Sequence, residues 1–245
     1  RGNDGRSGTI SLMNVVFDHA EDTAANIKTF YFKPEKPVDY IAGQFTELYL
    51  AHDHPDNRGI RRWFTLSSSP TEPLVSITTK FSTQQSSTFK QVLATMQPGT
   101  HLKLAQPMGD FVLPKDASRP LVFVAGGIGV TPMHSMIKYL HDKGQQRDIH
   151  LLYAVTKAEE LAFLPLFKES VRLTTVVKDP PVGYKGEIGS LTTERILEIT
   201  DSKPDTLFYL SGPEPMVEVF TKELAEKGIS SRRIITDYFP GYQKF

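Results

Sequence analysis

LVFVAGGIGVTPM, residues 121–133, decides the reading of this chain. Leu121, Val122, Phe123 and Val124 form an apolar run without polar alternation, the pattern of a parallel strand covered on both faces. Gly126, Gly127 and Gly129 then remove side chains where the backbone turns sharply and comes close to something. Thr131 is placed to cap a helix, and Pro132 suits its first position, where no amide hydrogen is needed. The free amides and positive dipole end of such a helix favour an anion such as a nucleotide pyrophosphate. A strand-to-helix connection that holds nothing has the same glycine-rich signature. The stretch is neither the GxGxxG fingerprint, since Pro132 stands where the third glycine would fall, nor a P-loop, since the lysine is missing.

Strand and helix alternate onward from this point. Residues 149–155, 173–177, 207–210 and 233–236 read as strands, and two helices are marked by apolar stripes. Met133, Met136, Ile137 and Leu140 form one stripe; Val217, Phe220 and Leu224 form the other. That alternation implies a parallel sheet with helices on both faces and a ligand beyond the carboxyl ends of its strands. Upstream of the linker KDASRP (115–120) the rhythm differs. Short runs at 9–17, 27–32, 44–50, 63–66, 75–79 and 101–105 are separated by Pro, Gly, Asp and Asn, which predicts a small antiparallel barrel or sandwich. One helix interrupts it, with Phe89, Val92, Leu93 and Met96 on one face and Pro98-Gly99 at its end. Three parts are expected: a flexible segment 1–8, a barrel domain 9–115 and an α/β domain 120–245.

Composition narrows the chemistry. Lys plus Arg equals Asp plus Glu at 28 each, so no global field recruits nucleic acid or a membrane surface. The absence of cysteine among the 245 residues excludes disulfides, a cysteine nucleophile and cysteine-held zinc or iron–sulfur clusters in this chain. No apolar run approaches the ~18 residues of a membrane span.

Four further segments carry candidate chemistry. In RRWFTLSS (61–68), Arg62 offers planar donors for phosphate, Phe64 a stacking face and Thr65 a hydroxyl. Ser86, Ser87 and Thr88 open the lone helix of the first half, as caps or as donors to another phosphate. In YLSGPEPM (209–216), Gly212 and Pro213 allow a close, rigid backbone approach, and Pro215 begins a helix. TDYFPGY (236–242) is an aromatic cluster near the terminus.

Taken in order, these segments resemble the ferredoxin–NADP reductase superfamily, from about Gly8 to Tyr242. That resemblance implies an antiparallel β-barrel flavin-binding domain followed by an α/β parallel-sheet nucleotide-binding domain. It implies an NAD(P)H-dependent flavoprotein reductase, with FAD rather than FMN bound and hydride taken from NADH or NADPH. Arg62-Trp63-Phe64-Thr65 matches the family's arginine–x–aromatic–serine/threonine motif. Arg62 is then expected on the flavin phosphates, Phe64 against the flavin and Thr65 near the nitrogen that accepts hydride. Ser87 and Thr88 match the flavin pyrophosphate motif, with Thr79 and Lys80 near the cofactor. Gly126, Gly127, Gly129 and Thr131 belong to the dinucleotide loop. Ser211, Gly212, Pro213 and Met216 match the cysteine–glycine–proline segment beside the nicotinamide, and Phe239 the C-terminal aromatic that screens the flavin. Thr65, Ser211 and Phe239 are the expected catalytic positions.

Two departures stand out: Phe64 replaces the frequent tyrosine and Ser211 the frequent cysteine. The serine keeps a rival open, a non-catalytic flavin- or nucleotide-binding sensor or docking module. A hydrolase on Ser211 or Ser135 lacks the G-x-S-x-G elbow. His52-Asp53-His54-Pro55-Asp56 reads as a solvated loop, not a metal site, and His134 and His141 as helix-surface residues. Thr156-Lys157 and Glu159-Glu160 flank the position where nucleotide preference is set, with charges that oppose each other. With no cluster of its own, the chain is expected to pass electrons to a separate acceptor protein or domain, or to a free small molecule. The start at Arg1 suggests an upstream portion carrying that acceptor or a membrane anchor, on the cytoplasmic side.

Overall fold

The computed structural model describes residues 11–81, 87–200 and 203–239, the side chain of Phe239 excepted. Its first half is a six-stranded antiparallel sheet, built from β1 (Leu12–Ala24), β2 (Ile27–Pro34), β3 (Phe45–Tyr49), β4 (Arg61–Thr65), β5 (Val75–Lys80) and β6 (His101–Ala105), in the order β4-β3-β6-β1-β2-β5. The two outer strands meet: Leu66 bridges Ile77, and the Ser67 amide donates to the Ser76 carbonyl at 2.8 Å, closing the sheet towards a barrel. Inside lie Val15, Phe17, Phe30, Phe32, Leu48, Leu66, Ile77 and Leu104, every second residue of their strands. Helix α1 (Thr88–Ala94) buries Phe89 and Leu93 of the expected stripe in the same core.

The second half is wholly parallel. β7 (Leu121–Gly126), β8 (Ile149–Val155), β9 (Arg172–Val177), β10 (Glu187–Ile188), β11 (Leu207–Pro213) and β12 (Ile234–Phe239) stand in the order β10-β9-β8-β7-β11-β12. The apolar run at 121–124 is explained by its central place. Leu121 and Phe123 pack under helix α2 (Thr131–Asp142), while Val122 and Val124 pack on the other face against helix α5 (Glu214–Glu226). Helices α3 (Leu164–Ser170) and α4 (Thr193–Thr200) complete the two layers. After β7 the chain runs outward through β8, β9 and β10, then returns to the other side of β7 as β11 and β12. The switch point therefore falls between β7 and β11, where such sheets open a crevice.

Local readings change in four places. Gly127–Val130 form a 3₁₀ turn before α2, so Thr131 is the first helical residue and not the cap, and Pro132 is the second. β11 runs on through Ser211-Gly212-Pro213, and α5 starts at Glu214 rather than at Pro215. β1 extends to Ala24 with two register shifts against β2, which lets one long strand wrap the barrel. Finally, Thr236-Asp237-Tyr238-Phe239 is strand, paired with β11.

Candidate functional site

On the barrel side the site starts from β4. Alternation puts Arg62 and Phe64 on one face and Trp63 on the other. Trp63 is 52% exposed and lies edge-on to Phe45 at 5.4 Å, so the fold separates it from Arg62 and Phe64. The Arg62 guanidinium pairs with Asp56 at 2.5 Å, donates to the carbonyls of Arg58 and Gly59 at 3.1 and 2.9 Å, and sits 5.1 Å over the Phe89 ring. Its Nε is buried and has no partner among the described residues. A buried donor left so costs about 1–3 kcal/mol, so this atom suits an incoming acceptor. Phe64 packs partly against the barrel core with its ring 6.0 Å from Phe89, and Thr65 is buried at the end of the strand.

Ser87 caps α1, its Oγ accepting from the Lys90 amide at 3.3 Å. Ser86 and the rest of 82–86 lie outside the described residues. Thr88 Oγ1 meets His52 Nε2 at 3.3 Å. His52 therefore joins the arginine and α1 cluster while Asp53, His54 and Pro55 are exposed, as a solvated loop requires; Asp56 serves Arg62 and Arg58. Among the described residues no three metal-ligating side chains come together. Thr79 is buried on β5, and Lys80 forms an ion pair at 2.5 Å with Glu160 of the parallel half.

The glycines of 126–129 divide their tasks. A Cβ on Gly126 would lie 2.5 Å from Met216 Sδ, and one on Gly129 2.4 Å from the Ser211 carbonyl oxygen. What the turn approaches closely is thus the 211–216 segment itself. Gly127 differs: it has φ +54° and open space where a Cβ would project. Thr131 is buried, its hydroxyl donating to the Ile128 carbonyl at 3.1 Å. Met216 lies in the core under α5, against Gly126 and Gly212, and so fills the space those glycines leave.

Ser211 pairs in register with Ala125 on one side and Asp237 on the other. By alternation these side chains share the sheet face of Phe123 and Tyr209, the face that fronts the barrel, where Tyr209 packs on Phe111 at 5.2 Å. Ser211 Oγ is fully buried and has no partner among the described residues. Burial pushes the Asp237 carboxyl up to about 6, with a hydrogen bond from the Tyr238 amide pulling the other way. In the sequence the only signal for Asp237 is a polar residue continuing the strand 233–236. Phe239 pairs with Pro213 through the backbone, while its side chain and residues 240–245 lie outside the described residues.

The two halves are joined at this point. His134 and Ser135 of α2 bond to the carbonyls of Ser67 and Ser68 at 2.7 and 2.5 Å, two and three residues beyond Thr65. His134 is not a helix-surface residue: it stacks on Phe163 at 3.8 Å, and burial holds its imidazole down to about 4. The Ala25 amide reaches the Glu159 carbonyl, and Tyr209 the Val112 carbonyl. Glu160, expected to oppose Lys157 at a nucleotide, is instead engaged by Lys80 across the seam. Among the described residues no helix is long and apolar enough to cross a membrane.

Comparisons agree with the two-part fold. A family model described as oxidoreductase NAD-binding domain matches residues 123–222. Flavohemoprotein A of Dictyostelium discoideum is 27% identical over 241 residues, covering 91% of this chain and 59% of that protein. The chain thus spans well under two thirds of such relatives. The flavohem-like FAD/NAD-binding domain of nitric oxide dioxygenase from Vibrio cholerae superposes with a TM-score of 0.78 at 22% identity, covering 93% of this chain and 98% of that one. A ferredoxin NADP+ reductase from Neisseria gonorrhoeae, solved with bound FAD and NADP, gives 0.78 at 20% identity, with 93% and 98% covered.

Proposed function

We propose that this chain is a reductase unit of the ferredoxin–NADP reductase superfamily that takes hydride from NADH or NADPH onto a bound FAD and passes electrons to a separate acceptor protein or domain. FAD supplies the redox chemistry when bound; the protein supplies orientation, electrostatics and exclusion of water. Arg62, whose buried Nε has no partner among the described residues, and the Ser87 and Thr88 hydroxyls are suited to the flavin phosphates. Thr79 stands on the neighbouring strand, and Phe64 presents an aromatic face. The bare backbone at Gly127, before the N-terminus of the twelve-residue helix α2, is suited to the nucleotide pyrophosphate. Ser211 and Asp237 offer a hydroxyl and a raised carboxyl at the switch point, able to hold or give up a proton beside the reacting rings.

One observation carries this reading above the others. The α2 helix that follows the glycine turn bonds directly to Ser67 and Ser68, the continuation of the Arg62–Thr65 strand. Two motifs about sixty residues apart in sequence are thereby tied across one seam, which supports a reaction between two bound rings. The relatives named flavohemoprotein support an acceptor carried by a further part of a longer protein. Purified protein supplemented with FAD and desalted is expected to stay yellow, with flavin bands in the blue and near ultraviolet. Protein that emerges colourless contradicts the reading. A non-catalytic binding module is the second reading, favoured only by Ser211 in the cysteine position.

A further inference from the structure

On the reductase reading, we infer that His134 is a positioning residue for hydride transfer, its imidazole setting the spacing between the glycine turn and the Arg62–Thr65 strand. His134 lies in the first turn of α2, directly after Gly127–Val130. Its Nδ1 is 2.7 Å from the Ser67 carbonyl, which can only accept, so Nδ1 carries the hydrogen. Behind the ring stand Phe163, stacked at 3.8 Å, and Phe167, edge-on at 6.1 Å. Phe163 has φ +62°, a left-handed backbone that a bulky side chain keeps only where its surroundings hold it. What holds it is an apolar cluster of Ile27 from the barrel, Ile128 from the glycine turn, and Ala162. The brace behind His134 and the glycine turn are thus parts of one packed unit.

The barrel end of the contact is equally rigid. The Ser67 amide donates to the Ser76 carbonyl at 2.8 Å, and its hydroxyl meets those of Ser76 and Thr78 at 2.9 and 2.8 Å. From Thr78 the row of hydroxyls runs on to Thr29 and Thr23 at 2.8 and 2.5 Å, tying the loop after β4 to β5, β2 and β1. Ser68 is held by the Tyr40 hydroxyl, which donates to its carbonyl at 3.0 Å, and by the Ser76 amide, which donates to its Oγ at 2.9 Å. At the far end of α2 the Thr71 hydroxyl donates to the Asp142 carboxylate. A side chain wedged between two such bodies fixes their separation. Hydride transfer depends steeply on that separation, a misplacement of about 1 Å costing about 100-fold in rate. Nucleotide and flavin are each held by groups within one half, so affinity depends on it little.

The test compares FAD-loaded wild type, H134F and H134N in anaerobic single-turnover reduction over a range of NADH and of NADPH, which separates the limiting rate from half-saturation. H134F keeps a ring against Phe163 and loses the donor to Ser67; H134N keeps an N–H near the place of Nδ1. H134F is expected to lower the limiting rate by about tenfold or more, with half-saturation and FAD affinity within about twofold of wild type. The long-wavelength charge-transfer absorbance of a nicotinamide stacked on flavin should weaken with it. H134N is expected to recover the limiting rate to within about threefold. H134L takes the place of H134F if that variant does not fold. A limiting rate in H134F equal to wild type, a loss carried by half-saturation or FAD binding instead, or an H134N as slow as H134F overturns the inference and leaves the reductase reading standing. Wild type that holds FAD and is reduced by neither nucleotide overturns that reading and the inference with it.

Discussion

Ser211 and Asp237 stand opposite each other on adjacent parallel strands, on the sheet face that fronts the barrel. One side chain has a buried hydroxyl with no partner among the described residues, and the other a carboxyl that burial pushes up to about 6. Parallel pairing fixes their separation, so the pair is a property of the register and does not need a loop to hold it. Replacing Asp237 by Asn is expected to remove an inflection near pH 6 from the rate of flavin reduction while leaving FAD binding unchanged. A variant that keeps the inflection assigns it elsewhere. The same carboxyl has a stability signature. Its folded value exceeds the unfolded one, so its contribution is present at low pH and lost as pH rises from about 4 to about 6.

The buried histidines act in the opposite direction. His134 at the seam and His150 on β8 are both held down to about 4, first by burial. Unfolded imidazoles protonate near 6.5, so the unfolded chain binds more protons below that value. Stability is expected to fall as pH drops from about 6.5 to about 4, two histidines outweighing one aspartate. His134→Asn should flatten the urea-midpoint profile over that window. An unchanged slope would show that other groups set the acid limit.

Gly129 and Gly127 should respond differently to alanine. At Gly129 the methyl would strike the Ser211 carbonyl, a backbone atom that cannot swing away. A loss of about 1–3 kcal/mol and failure to bind nucleotide are expected. At Gly127 the space is open and only the positive φ resists, at about 1–2 kcal/mol, so G127A should fold with a small drop in melting temperature. Equal melting temperatures would contradict the division of roles.

The Lys80–Glu160 pair predicts a separation of stability from coenzyme choice. Glu160→Gln should lower stability by about 1 kcal/mol or less, since the pair is only partly buried, and should leave the NADH to NADPH rate ratio as it was. Lys157→Glu, at the exposed end of β8, should weaken NADPH relative to NADH by about tenfold. If the ratio follows Glu160 instead, that carboxylate reaches the nucleotide.

Much of this molecule is legible in its sequence because the relevant signals are local. Leu121–Val124 reads as a doubly covered strand and is one, and the stripe Met133, Met136, Ile137, Leu140 is buried under β7 and β8 as its spacing requires. Short elements escaped: α3 has only seven residues and starts from Phe163 at φ +62°, a conformation that no residue-type preference announces. The site was partly visible as motifs, but its partnerships are long-range. Nothing near position 52 says that its imidazole meets Thr88, thirty-six residues on. Nothing in SMIKYL says that His134 will be covered by Phe163 and bonded to Ser67. Trp63 shows the converse limit, since a motif names consecutive residues while a strand sends every second side chain to the other face.

The central claim, that two nucleotide sites meet across the seam closely enough to react, is tested most directly by anaerobic stopped-flow mixing of the FAD-loaded protein with NADH and, separately, with NADPH. The account predicts that at least one of them bleaches the blue flavin band in a single turnover, at a rate that saturates with nucleotide concentration. Flavin that stays oxidised with both nucleotides, in protein shown to hold FAD, would contradict it.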